Sequence, residues 1–288
     1  MLVKAESLQL GGSFKFRGAY NRISLIPDGQ RAAGVVAISS GNHAQGVALA
    51  ARMLGMKALC VMPSDAPRMK IANTQAYGAE LHLYDRVAED REAIGRRLVA
   101  ERGATLVLPF DDRLIVAGQG TIGLELAMQA EARGTMLDAV LVNCSGGGLA
   151  AGIALALADR SPGTVLHTVE PAGFDDMARS LSTGTRQRNA ALSGSICDAL
   201  LAPMPGDIPF AIARQHIASG FAVSDQAVRR AMRAAFEHFK LVVEPGGAAA
   251  LAALLSGAYD PRGRTTAVIL SGGNVDATLF AEVLSETA

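Results

Sequence analysis

The sequence has no surplus of charge of either sign: 27 basic residues stand against 27 acidic ones, for a formal net charge of +0. A nucleic-acid-binding chain carries a basic surplus or stripe, so nucleic acid is not an expected partner. Cysteine is scarce. Cys60, Cys144 and Cys197 are widely spaced, form neither a metal-type pair nor an even framework, and point to a reducing, cytoplasmic setting. No apolar run approaches the roughly 18 residues that a membrane span needs, so no membrane partner is expected. The opening MLVKAESLQL lacks the apolar core of a secretory signal. Low-complexity segments, internal repeats and long linkers are missing too. So are H-E-x-x-H, C-x-x-C and G-x-S-x-G, which leaves zinc hydrolase, thiol redox and serine hydrolase chemistry without support.

What is present is an ordinary globular balance, with 50% hydrophobic and 19% charged residues. A chain of 288 residues implies one or two domains. Short apolar runs at 34–38, 58–62, 80–84, 105–109, 138–144, 164–170 and 266–271 read as buried strands. Helical spacing appears at 43–55, 67–78, 86–103, 113–130, 224–239 and 246–257, with Ser224 a plausible N-cap. Strand and helix alternating at this rhythm predict an α/β protein of parallel sheets with helices on both faces. Two sheets are expected: a compact four-strand unit over 34–111, and a larger unit from 1–33 and 112–288. A cleft between two such sheets is the default ligand site.

Glycine, at 31 residues, is concentrated in short clusters. NCSGGGLAAG (143–152) follows a strand and opens a helix. Its converging N–H groups and the helix N-terminus suit a phosphate, although a tight turn that binds nothing reads equally well. SSGNHAQG (39–46) has the same context, and its hydroxyls, amide and imidazole suit a carboxylate better than a mere helix cap. LSGGNVD (270–276) ends a strand in a turn that admits close approach of something flat, or is simply a turn. VEPAGFDD (169–176) gathers Glu170, Asp175 and Asp176. On the residues alone it reads as a solvated acidic loop before it reads as a Mg²⁺ or Ca²⁺ site. In GGSFKFRGAYNRI (11–23), Lys15 stands between two phenylalanines; solvated, it is ordinary, but in an apolar anion-binding corner it is chemical. His82, His167, His216 and His238 show no partner pattern.

GSFKFRGA, SSGNHAQG, SGGGLAAG, VEPGGAAALAAL and LSGGNVD, in that order, resemble the fold-type II pyridoxal-phosphate enzymes, and within them the threonine/serine dehydratase and serine racemase group. The resemblance runs from residue 2 to residue 278. It implies two α/β domains, with 1–33 and 112–288 binding the cofactor. It also implies pyridoxal 5′-phosphate, an amino-acid substrate and a homodimer. Lys15 matches the lysine that anchors the cofactor covalently and acts as base. Phe14 packs on the ring, Asn42 and Ser271 meet its oxygen and nitrogen, and Ser145, Gly146, Gly147, Gly148 and Leu149 hold the phosphate. Glu244 lies near the ring. Ser39, Ser40, Asn42 and His43 hold the substrate carboxylate, and Ser40 is also a candidate catalytic hydroxyl. Glu170, the carbonyl of Phe174, and Asp176 match a divalent-cation site. The implied activity is a threonine/serine ammonia-lyase, with a serine or hydroxyaspartate racemase/dehydratase as the alternative. Where the group commonly has Asp-Gly, this chain has Asp198-Ala199. The group also carries a further N-terminal helix and strand, which a chain opening almost at VKAESLQ is expected to lack. A third reading is therefore a shortened, catalytically impaired cofactor-binding protein.

Overall fold

The computed structural model describes residues 1–286. Its strands, in chain order, are β1 (Leu2–Ala5), β2 (Val35–Ile38), β3 (Ala58–Pro63), β4 (Glu80–Tyr84), β5 (Thr105–Leu106), β6 (Ala139–Asn143), β7 (Val165–Pro171), β8 (Ser219–Val223) and β9 (Thr266–Leu270). They make two all-parallel sheets, one of order β4-β3-β2-β5 and one of order β1-β9-β6-β7-β8. Strands β3, β6 and β9 are buried along their whole length, as parallel strands covered on both faces must be.

The helices are α1 (Lys15–Ser24), α2 (Asp28–Arg31), α3 (Asn42–Met53), α4 (Arg68–Ala76), α5 (Arg91–Arg102), α6 (Arg113–Glu131), α7 (Gly148–Arg160), α8 (Asp176–Thr183), α9 (Asp207–His216), α10 (Asp225–Phe239), α11 (Pro245–Leu255) and α12 (Ala277–Ser285). Ser224 caps α10 by accepting the Ala227 N–H, as the sequence predicts. Helix α11 is buried continuously from Pro245 to Ala253; its Gly and Ala residues let it lie against β6, β7 and β9. Glycine also sets the α6–α7 crossing, where a Cβ on Gly120 would lie 2.9 Å from the Gly152 carbonyl. No helix among the described residues is long and apolar enough to cross a membrane.

The helix carrying Lys15 is braced by buried charge. Arg17 Nε lies 2.8 Å from Glu6 and Arg17 Nη1 2.6 Å from Glu125, which also takes Lys4 at 2.6 Å. This cross-ties β1, α1 and α6. An arginine that presents several donors from a planar fork suits such a junction.

Several element boundaries differ from expectation. The run 105–109 is a strand only to Leu106, because the Val107 and Pro109 carbonyls turn away to His43 and Lys15. Helix α5 begins at Arg91 rather than 86: Asp90 caps it, and Asp85 accepts the Val87 and Ala88 amides in a separate turn. Strands β1 and β8 and helices α1, α8, α9 and α12 form where no element is predicted.

Candidate active site

The five motifs meet in one cavity of about 510 Å³. It opens where β2, β6 and β9 end, between the two sheets, the position at which parallel α/β proteins collect ligands. Lys15 is the first residue of α1. Its approach is stitched to the LSGGNVD turn: Ser13 bridges Gly272, and the Phe14 amide donates to the Ser271 carbonyl at 3.0 Å. The Lys15 ammonium reaches into the cavity, donates to Pro109 O at 2.7 Å, and stands 5.1 Å from the Phe14 ring centroid. Burial lowers its pKa from 10.5 to about 8, since a low-dielectric setting disfavours the charged amine. The solvated reading of this lysine does not hold.

Ser39, Ser40, Asn42 and His43 form the adjoining wall. Neither serine caps α3, whose first turn has no side-chain cap; Ser39 Oγ instead accepts the Gly41 amide at 3.1 Å. The orphan N–H groups of α3 are thus left to the cavity. The Ser40 hydroxyl makes no hydrogen bond among the described residues. His43 is buried, with Nε2 2.8 Å from the Val107 carbonyl, so that nitrogen carries the proton, and Nδ1 has no partner. Burial and the Lys15 charge hold the His43 pKa down at about 3, leaving it neutral.

Along the opposite edge, Gly147 takes φ 92°, a region closed to other side chains, while Cβ atoms on Gly146 and Gly148 would press on Phe110 at 2.5 and 2.9 Å. Helix α7 starts here without a side-chain cap, so its first amides are unclaimed donors. The Ser145 hydroxyl is engaged, accepting the Ala202 amide at 3.2 Å, and the segment 198–206 lies across the turn, with Gly206 N donating to Gly146 O at 3.0 Å. Ser271 and Glu244 complete the cavity. Ser271 Oγ takes the Asn143 amide at 2.9 Å. Glu244 is 1% exposed and accepts from Asn42 Nδ2.

Sequence reasoning missed four contributors. Asn143 ties the β6 end to Gly247, Ile269, Ser271 and Ala250. The 107–110 loop supplies the carbonyls that hold His43 and Lys15. Lys70 is wholly buried at the cavity wall, 2.6 Å from Asp198 and 3.0 Å from Glu244. Asn143 opens the NCSGGGLAAG motif but has no role assigned there; the 107–110 loop and Lys70 carry no local motif, and the fourth, Asp198, drew notice only as a departure from the family pattern.

The acidic cluster corrects two expectations. Glu170 and Asp176 are fully buried, so they are not a solvated loop; only Asp175 keeps partial exposure, beside Arg179 at 3.5 Å. Nor is a cation site supported. Both Glu170 oxygens accept amides, from Met177 at 2.9 Å and Ala178 at 2.8 Å, and Asp176 Oδ1 accepts from Asn189 at 2.6 Å. Only Asp176 Oδ2 has no partner. Among the described residues no group of three His, Cys, Asp or Glu side chains is placed to hold a metal. The residue whose carbonyl is the expected third ligand, Phe174, is itself buried.

The donor set does fit pyridoxal phosphate. An amine with a lowered pKa, an uncapped helix N-terminus beside a Gly-Gly-Gly turn, an amide with an uncommitted N–H on Asn42, and a neutral hydroxyl at Ser271 line the same space.

Comparison with known proteins agrees. Residues 1–272 match the family described as pyridoxal-phosphate dependent enzyme. A Pseudomonas L-threo-3-hydroxyaspartate ammonia-lyase is 44% identical over 99% of this chain and 88% of its own. A serine racemase of Schizosaccharomyces pombe is 36% identical over 98% of this chain and 86% of its own. The solved structure of maize serine racemase superposes with a TM-score of 0.90 at 36% identity, covering 97% of this chain and 85% of that one. With its fold and nearly its whole length in common with these proteins, the chain belongs to the pyridoxal-phosphate dependent enzymes, in the part of that family that holds ammonia-lyases and racemases.

Proposed function

We propose that the protein is an ammonia-lyase of β-hydroxy-α-amino acids and that its preferred substrate carries a second carboxylate, as 3-hydroxyaspartate does. The observation that carries this reading is the charge at the cavity mouth. Arg91 and Arg188 line it, and neither is spent internally: Arg91 has only its neighbour Glu92 at 3.4 Å, and Arg188 only the Met204 sulfur at 3.8 Å. Threonine and serine offer such arginines nothing, whereas a β-carboxylate gives them a charge-assisted partner. The hydroxyaspartate ammonia-lyase relative supports the same choice.

Pyridoxal phosphate, when bound, supplies an electron sink for charge developing at the substrate Cα. The first amides of α7, from Gly146 to Leu149, would hold its phosphate, with Ser145 at the turn. Phe14 would flank the ring, and Asn42, Ser271 and Glu244 would face its polar edge. Lys15 would hold it covalently until the substrate amine takes its place, and the amine so freed would be the base. An amine with a pKa near 8 is partly neutral at physiological pH and takes the Cα proton, where an ordinary lysine stays charged. Ser39, Ser40 and the free α3 amides hold the substrate α-carboxylate beside the neutral His43. Loss of the β-hydroxyl as water, then hydrolysis of the released enamine, gives a 2-oxo acid and ammonia.

The test compares kcat/KM for L-threo-3-hydroxyaspartate, L-threonine and L-serine in the wild type, Arg91→Met and Arg188→Met. Loss of one charge-assisted contact, about 1.5–3 kcal/mol, predicts a roughly ten- to hundredfold fall for hydroxyaspartate. The fall for threonine should be much smaller. Higher kcat/KM for threonine or serine in the wild type, or equal losses for all three, would return the assignment to a threonine/serine lyase.

The free Ser40 hydroxyl favours a second reading, racemisation. Carried by the turn between β2 and α3 rather than by α1, it would return the proton to Cα. Chiral analysis of residual substrate decides: the D-enantiomer should form in the wild type and vanish in Ser40→Ala.

A further inference from the structure

Lys70 is among the largest fully buried side chains in the protein, although a lysine is almost never buried without partners. Its partners come from the other side of the cavity. Lys70 belongs to α4, beside the four-stranded sheet; Glu244 immediately precedes α11, and Asp198 lies in the segment over the glycine turn, both beside the five-stranded sheet. The side-chain exposures are 1% for Lys70, 1% for Glu244 and 35% for Asp198, so the Lys70–Glu244 contact is dry and Asp198 keeps access to water.

From Glu244 the connection continues inward. Its other oxygen accepts from Asn42, whose own carbonyl oxygen accepts from Asn274 Nδ2 at 2.9 Å; Asn274 also donates to Gly11 O at 2.8 Å. The lysine stem also explains a glycine of the SSGNH motif. A Cβ on Gly41 would stand 2.5 Å from Lys70 Cδ, so the turn carrying Ser39, Ser40 and Asn42 rests directly on this side chain.

We propose that Lys70 is a positioning residue of the active site: its buried ammonium clamps the two α/β domains together at the cavity and, through Glu244, aims the Asn42 amide. Without the cation, two carboxylates from one domain face the apolar seat of α4, and Glu244 is left buried with an uncompensated charge. The turn at 39–42 then loses both its packing support and the acceptor that orients Asn42. The clamp stands on the contacts alone. Its effect on the cofactor rests on the functional reading above.

The test compares the wild type, Lys70→Met and Lys70→Met/Glu244→Gln by amide hydrogen exchange on the cofactor-free protein and by visible-band titration with pyridoxal phosphate. Lys70→Met is expected to raise exchange in α3 and α4 while β6, β9 and α11 stay protected, and to weaken cofactor binding tenfold or more. Lys70→Met/Glu244→Gln removes both buried charges and keeps an acceptor for Asn42, so it should restore protection of α3 and α4 to near the wild type. A lysine that merely fills space predicts no such recovery. The clamp is overturned if Lys70→Met leaves exchange and affinity unchanged, or if the double variant is no better protected than the single one. Should Lys70→Met fail to fold, the double variant carries the test: folded and protected supports the clamp, unfolded overturns it. Normal exchange behaviour with no cofactor band in the wild type would sink the functional reading and leave the clamp standing.

Discussion

The lowered pKa of Lys15 makes a measurable demand on the apoprotein. At pH 7 a lysine of pKa 10.5 is neutral to the extent of about 0.03%, whereas one near 8 is neutral to about 10%, roughly three-hundredfold more free amine. Only the neutral amine attacks an aldehyde, so the second-order rate of covalent capture of pyridoxal phosphate should follow a titration with a midpoint near 8. Stopped-flow absorbance between about pH 6 and 10 reads this directly, with Lys15→Ala as the blank. The cause assigned is burial, so a polar opening should reverse it. Phe14→Ser, which lets water in 5.1 Å from the ammonium, should move the midpoint upward. A wild-type midpoint near 10.5, or capture that survives in Lys15→Ala, would refute the reasoning.

Three further outcomes follow from buried groups. Burial holds the folded-state pKa of Asp176 near 6, above its ordinary 3.8, so the folded protein binds more protons between these values and stability falls as pH rises through that window. Asp176→Asn keeps the acceptor for Asn189 and should match the wild-type stability in denaturant unfolding near pH 4 but exceed it near pH 7.5, by up to about 3 kcal/mol; a variant less stable at both pH values contradicts this. For His43 the sign is opposite. Its folded pKa near 3 lies below the ordinary 6.5, so stability is complete above 6.5 and is lost as pH falls toward 3; in His43→Gln the acid limb of the melting-temperature profile should be shallower. Gly147→Ala places a Cβ at φ 92° and against Met177 and Pro209, which should cost about 1–3 kcal/mol in denaturant unfolding and weaken phosphate-dependent binding of the cofactor.

Much of this architecture is legible in the sequence because it is local. Strands such as 80–84 and 139–143 are short apolar runs closed by turns, and the glycine turns announce themselves by composition. The elements that escape notice break their own patterns. β1 carries Lys4, tolerable there because Glu125 takes its charge; α1 has Gly18 in mid-helix, admitted because Gln119 packs on it; β8 opens with Ser-Gly at the sheet edge. The candidate site divides in the same way. Lys15, Asn42, the Gly146–Gly148 turn and Ser271 sit in motifs, and the structure brings them together. Lys70, Asn143 and the Pro109 carbonyl act through contacts between residues far apart in the chain, for which no local pattern exists. The acidic cluster misleads for a related reason: Glu170, Asp175 and Asp176, close together in a loop-like stretch, look solvated, and only the fold shows two of them turned inward and already bonded to backbone amides or to Asn189.

Two lysines line the cavity, and they differ in the property that matters most. Burial lowers Lys15 to a pKa near 8 with only a carbonyl for a partner. Lys70 is buried too, but Glu244 and Asp198 outweigh that burial and hold it firmly protonated. The direct test is to load the protein with pyridoxal phosphate, reduce it with borohydride and map the modified peptide by mass spectrometry. The cofactor mass should appear on Lys15 and not on Lys70; its appearance on Lys70, or on neither, would contradict the assignment of Lys15 as the catalytic amine.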